Sequence, residues 1–297
     1  MINGIDVSHH NDINWASIRS LNLSQNLYFT FAKASEGTGN PDAKFDANRR
    51  GGASAGLLTG AYHFFLPTED PVAQAVVLVG RVGALAPGEL PPVVDIEWTK
   101  IVNKQGQVKR AELWSLVPRA KRIDVIRQFL DAVEQRLGVK PIIYTAVSFW
   151  KDFITKNNPP AAYAPFANHP LWIVNIKGSL TIPDPWGKAT FVQNGFGELA
   201  PKGASAFEKL DHDFFNGSLF ELLMLAAKGQ VFARGKTPVS PVVRDFQQAL
   251  KVKGFYSDIL DGDFGKNSEK AVKDFQQSLS LPVTGSIDEV TWKMLLT

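Results

Sequence analysis

Cysteine is absent from the 297 residues, so neither disulfides nor thiolate metal sites can contribute and the fold must stand on its hydrophobic core. Long apolar runs are missing as well. The nearest approach, Leu222 to Ala227, is far short of the roughly 20 residues that a membrane-spanning helix needs. Between Met1 and the strand-like Ile5-Asp6-Val7 there is no room for a signal peptide's charged and apolar regions. The expectation is a protein made in the cytoplasm that reaches any external target by release or another export route. Excess charge of one sign is small: a net charge of +3 gives no case for binding nucleic acid. The five histidines, His9, His10, His63, His169 and His212, show no His-Glu-x-x-His spacing, which argues against a zinc hydrolase. No Gly-x-Ser-x-Gly elbow or Gly-rich phosphate loop is present, so acyl and phosphoryl transfer have no support. No metal or cofactor is expected, no membrane or nucleic-acid partner, and a monomer. What remains is ordinary globular composition, 44% hydrophobic and 21% charged, in a chain long enough for a barrel-sized domain plus a small one.

The most informative stretch is Pro91-Pro92-Val93-Val94-Asp95-Ile96-Glu97-Trp98. In an extended strand residues i and i+2 share a face, so Asp95 and Glu97 aim at one spot while Val94 and Ile96 face the other way. Side by side, like charges resist joint ionisation, and one carboxyl can keep its proton near neutral pH while the other is charged. Glycoside hydrolysis needs such a pair. Taken alone the signal is weak, because solvated acids at a strand end look the same.

Strand-like and helical runs alternate through the first half of the chain. Strands are expected over residues 3–7, 27–34, 60–65, 93–97 and 141–145, and helices over 14–21, 42–55, 70–85, 118–137 and 148–155. Three further strands, 171–176, 190–193 and 209–213, follow with Pro/Gly-rich loops between them. This α/β pattern predicts an eight-stranded, irregular TIM-like barrel that lacks its last helices. Barrel sites lie at the C-terminal ends of strands. There the pattern places Asp6, Lys33 and Glu36, Tyr62 and His63, Asp95 and Glu97, Tyr144, Gln193, and finally Asp211 at the end of the last strand.

The segments Gly4-Ile5-Asp6-Val7-Ser8-His9, Phe31-Ala32-Lys33-Ala34-Ser35-Glu36-Gly37, Gly60-Ala61-Tyr62-His63-Phe64-Phe65, Pro92-Val93-Val94-Asp95-Ile96-Glu97, Ile143-Tyr144-Thr145, Leu171-Trp172-Ile173 and Asp211 with Phe215-Asn216-Gly217 together resemble the Chalaropsis-type lysozymes of glycoside hydrolase family 25, over roughly residues 2–226. The resemblance implies a (β/α)5(β)3 barrel that cuts the β-1,4 bond between N-acetylmuramic acid and N-acetylglucosamine in bacterial peptidoglycan. It implies Glu97 as general acid, Asp95 as nucleophile or orienter of the substrate's N-acetyl group, and Asp6 and Asp211 as outer carboxylates. Lys33 and Tyr62, with Trp98, Tyr144 and Gln193, are expected to contact substrate. Val174-Asn175-Ile176 and Val192-Gln193-Asn194 depart from the family's usual runs, which bears on subsite preference and leaves the four acids intact.

Residues 98–117 form an insertion beside Glu97, with no clear secondary structure, carrying Lys100, Lys104, Lys109, Arg110, Trp98 and Trp114. It reads either as a solvated rim loop or as a lid whose cations meet stem-peptide carboxylates and whose indoles stack on sugars. A linker is expected over 228–241. Beyond it Asp245-Phe246-Gln247-Gln248-Ala249-Leu250 recurs as Asp274-Phe275-Gln276-Gln277-Ser278-Leu279, so that residues 242–297 resemble a three-helix peptidoglycan-binding module. From Val239 to Thr297 seven Lys/Arg face eight Asp/Glu, too even a balance for electrostatic capture. Asp261-x-Asp263-x-Gly265 reads as a tight turn instead of a calcium loop. A hydrolase joined to a wall binder fits a phage endolysin released by a holin-type route or a bacterial autolysin. A non-catalytic wall-binding protein and a chitinase-like hydrolase are the competing readings.

Overall fold

Runs rich in Val, Ile, Phe and Tyr, bounded by polar turns, form the strands expected of them. The computed structural model describes residues 1–102, 106–176, 178–196, 205 and 207–297. The first half comprises β1 (Ile2–Val7), α1 (Trp15–Leu21), β2 (Leu27–Glu36), β3 (Asn40–Pro41), α2 (Phe45–Ser54), β4 (Leu58–Phe64), α3 (Pro71–Val82) and β5 (Val93–Asp95). The insertion follows, then α4 (Arg119–Leu137), β8 (Ile142–Ala146), the single turn α5 (Val147–Phe149) running into a π-helix over Trp150–Thr155, and α6 (Pro160–Tyr163). The barrel ends with β9 (Leu171–Val174), β10 (Phe191–Gly195), β11 (Asp211–Phe215) and α7 (Leu219–Leu225).

Eight strands close into a ring in the order β1-β11-β10-β9-β8-β5-β4-β2, with β2 returning to β1. All neighbours are parallel except β11, which is antiparallel to both β1 and β10. That reversal corrects one expectation: Asp211 begins its strand instead of ending it. Because β11 runs backwards, its start lies at the rim where the other strands finish, in register with Asp6.

The insertion is also more ordered than expected. It forms a short hairpin, β6 (Ile101–Val102) against β7 (Val108–Arg110), and then a 3-10 turn at Leu113–Ser115.

Side-chain alternation divides the core in two. Val94 and Ile96 pack outward with Ile126, Phe129 and Val133 of α4, the helix whose apolar stripe is legible at 3.6-residue spacing. Phe29, Phe31 and Phe191 plug the barrel's interior, with ring centroids 5.1 to 5.8 Å apart. Gly4 and Gly60 make room for this plug, since a Cβ there would lie 2.2 Å from the Phe29 ring and 2.3 Å from the Phe31 ring.

Residues 241–297 form α8 (Pro241–Val252), α9 (Lys266–Ser278) and α10 (Glu289–Leu296). The sequence repeat has a physical basis. In each copy the Gln after Phe is buried and clamps the following turn: Gln247 accepts from Gly262 N and donates to Asp261 Oδ1 at 2.7 Å, while Gln276 accepts from Gly285 N and donates to Ser286 O at 2.8 Å. Asp261 Oδ1 also accepts from Asp263 N, so this stretch is a tight turn.

The module packs on the base of the barrel, opposite the rim that carries Asp6 and Asp211. Tyr28 Oη donates to Asp245 at 2.6 Å, Asn22 donates to Val239 O at 2.8 Å, and Arg244 donates to Asn26 at 2.7 Å. Phe29 and Phe31 belong to the same apolar cluster as Phe246, Phe275 and Trp292. The intervening segment 228–241 is docked too: Phe232 pairs with Ile287 and its ring meets Phe246 at 5.0 Å. A shared core predicts shared unfolding. Phe246→Ala should cost about 3–5 kcal/mol, and calorimetry of the full chain should show one transition that falls as a whole. Two separate transitions, with only one moved, would contradict the continuous core.

Candidate active site

The C-terminal rim opens into a cavity of about 730 Å³ lined by Asp6, Asp95, Glu97 and Asp211. Four sequence-distant acids are therefore brought together by strand geometry. Asp6 ends β1, Asp95 ends β5, Glu97 follows two residues later, and Asp211 starts β11. Tyr62, Tyr144 and Gln193 line the same cavity. Tyr144 Oη donates to Gln193 Oε1 and Gln193 Nε2 donates to Asp6 Oδ2, each at 2.7 Å. This chain fixes the amide's orientation and ties β8 to β1 across the barrel.

Two of the expected substrate contacts are not among the residues lining the cavity. Lys33 does not line the cavity: its Nζ donates to Glu36 at 2.8 Å and sits over the Phe64 ring. Trp98 also lies off the cavity, 41% exposed and edge-on to Phe149. The lid reading of the insertion fares similarly. Trp114 is fully buried against Phe65 and Phe149 and can stack on no sugar. Arg110 is occupied by Glu36, and Lys100 and Lys109 are exposed. Lys104 lies outside the described residues. His63 stays out of the cavity as well: burial holds it near pKa 4, between Ser35 Oγ and Gln74 Oε1.

Other lining residues escaped the sequence reading: Ser8, His10 and Asn11 after β1, Trp172 on β9, and Phe196 and Lys209 before β11. A fifth acid, Asp213, lies one layer deeper and accepts from Trp172 Nε1 at 2.9 Å. The signal for it was present, because Asp211-x-Asp213 repeats the i, i+2 spacing that singled out Asp95 and Glu97.

Burial dominates the electrostatics. Desolvation, and then the charge of Glu97, push Asp95 well above the usual carboxylate range. Asp6 and Asp213 are raised by the same cause, and Asp213 Oδ2 is buried without a hydrogen-bond partner. Glu97 is raised to about 7 by desolvation, against the nearby cation of Lys33 and with help from Glu112 and Asp211. Among the described residues no cluster of three His, Asp or Glu is arranged to hold a metal.

The comparisons with known proteins follow the same lines. A family model, glycosyl hydrolases family 25, matches residues 5–193. A peptidoglycan binding domain model matches residues 239–295. Lysozyme M1 of Streptomyces globisporus is 33% identical over 231 residues, covering 76% of this chain and 71% of its own length. The solved bacterial lysozyme from Streptomyces coelicolor superposes with a TM-score of 0.63 at 29% identity, covering 76% of this chain and 96% of that one. A muramidase from Acremonium alcalophilum does so with a TM-score of 0.63 at 25% identity, covering 76% and 98%.

Raised carboxyl pKa values make a signed prediction about stability. A group whose folded value exceeds its unfolded one stabilises the fold below the unfolded value, and that benefit is lost as pH rises through the folded value. Asn at 213 can still accept from Trp172 and carries no charge to bury. Asp213→Asn should therefore stabilise the protein at pH 8 and change little at pH 4. Chemical denaturation at the two pH values checks this.

Proposed function

This chain belongs to the glycosyl hydrolases of family 25, a lysozyme and muramidase family of cell-wall hydrolases, and from that premise we propose that it hydrolyses the β-1,4 bond between N-acetylmuramic acid and N-acetylglucosamine in peptidoglycan. The observation that carries the reading is the pairing of Glu97, part-exposed to the cavity and protonated to near neutrality, with the buried Asp95 beside it.

In this reading Glu97 gives its proton to the glycosidic oxygen as the bond to the anomeric carbon lengthens. The two acids titrate as a pair. The productive form holds one proton on Glu97 and a negative charge on Asp95, beside the positive charge that develops on the sugar ring. Asp95 either attacks the anomeric carbon or orients the substrate's acetamide to do so. Its Oδ1 is buried without a hydrogen-bond partner in the structure, and a substrate N–H would satisfy it. Asp6 and Asp211 then add negative charge around the pair, and Tyr62, Tyr144 and Gln193 supply neutral polar contacts to a sugar. The peptidoglycan-binding module holds the enzyme on the wall, beyond the cytoplasmic membrane.

Clearing of purified wall sacculi tests the assignment. Glu97→Gln should lose about 10²–10⁴-fold in rate, while still binding sacculi through the module. The wild-type rate should fall as pH rises through about 7, where Glu97 gives up its proton. Mass spectrometry of the released fragments should find reducing muramic acid ends. Equal clearing by wild type and variant would overturn the role of Glu97, and reducing N-acetylglucosamine ends would overturn the bond.

A further inference from the structure

We propose that residues 98–99 and 110–114 form a positioning element for Glu97, holding the acid's main chain through Trp114 and setting a second carboxylate, Glu112, on its flank. β5 ends at Asp95 and the main-chain bonding to β8 ends with Ile96 N donating to Tyr144 O at 2.9 Å, so Glu97 stands one residue beyond it. Something else must hold it to the tolerance that proton transfer requires.

The insertion supplies that hold. Trp114 Nε1 donates to the carbonyl oxygen of Glu97 at 3.0 Å, and the indole is buried between Phe65 and Phe149. Glu112 folds the loop onto itself. It accepts from Thr99 N at 3.1 Å, from Thr99 Oγ1 at 2.8 Å and from Trp114 N at 3.1 Å. Thr99 Oγ1 in turn accepts from Leu113 N at 2.7 Å, and Thr99 O accepts from Arg110 Nε at 2.5 Å. Arg110 then latches the hairpin to Glu36 at the end of β2. Residues 97–99 and 110–114 thus form one hydrogen-bonded knot with the acid at its edge.

Position has an electrostatic consequence. The charged groups acting on Glu97 come from several elements: Lys33 on β2, Glu112 on the insertion and Asp211 on β11, with Asp6 and Asp95 coupled through the cavity. Lys33 draws the proton off and Glu112 opposes it. Lys33 and Arg110 share Glu36, so the latch also fixes the cation that competes with Glu112.

The inference rests on Glu97 as proton donor, and two full-length variants test it. Trp114→Phe keeps an aromatic ring, removes the N–H and fills the buried pocket with a smaller ring. It should lower kcat about tenfold, the worth of one hydrogen bond, with KM and sacculus binding unchanged. Glu112→Gln keeps an acceptor and removes the charge. Its activity at pH 7 relative to pH 5 should fall about two- to threefold, because the alkaline limb moves to lower pH. Glu112→Asp should restore the wild-type ratio. Variants that lose thermal stability while kcat and the pH limb stay as in wild type would overturn the inference and leave the loop purely structural. A Glu97→Gln enzyme that clears sacculi at the wild-type rate would instead remove the reading on which it rests.

Discussion

Crowding carboxyl groups into a space poor in water is costly, and in this protein the cost is shared among Asp6, Asp95, Glu97, Asp211 and Asp213. Isolated charges in such a place neutralise by taking up protons. Here they do so unequally: Asp6 is held by Gln193, Asp213 by Trp172, and Lys33 partly offsets the burial of Asp95 and Glu97. In the mechanism proposed above, unequal neutralisation is what lets similar side chains serve as a proton donor and a negative charge. Acid groups gathered this way are a source of function before they are a source of stability.

The rest of the fold makes that crowding tolerable. A closed barrel has no free edge, and its aromatic plug gives the rim a rigid floor. The helical module extends the floor, because its Phe246 and Phe275 share a cluster with Phe29 and Phe31. Its place at the base leaves the rim open for a long polymer. A module joined through a packed segment presents the wall-binding surface and the cleft in a fixed relation, unlike one on a flexible tether.

Much of this was legible in local sequence signals. The Asp95-x-Glu97 spacing, the stripe on α4 and the repeated Phe-Gln-Gln each follow from side-chain periodicity, which needs no knowledge of the tertiary fold. What was lost depended on direction and burial. Strand polarity leaves no local mark, so Asp211 was assigned to the wrong end of β11 although its approach to Asp6 was foreseen. An indole reads the same whether it faces water or a core, and Trp114 was offered as a sugar platform when it is a buried anchor. Lys33 was placed by strand position and by the resemblance, whereas in the structure its Nζ is held by Glu36, three residues on. Segment 228–241 has the composition of a linker, yet it is pinned by Phe232 and by Val239, whose carbonyl accepts from Asn22.

The central claim is that the protein environment, more than the chemistry of any single residue, keeps the proton on Glu97. Carbon-13 NMR titration of the glutamate side-chain carboxyls, with Glu97 assigned by its loss in Glu97→Gln, measures this without turnover. A midpoint near 7 is expected; one near the ordinary glutamate value of 4.5 would contradict the account.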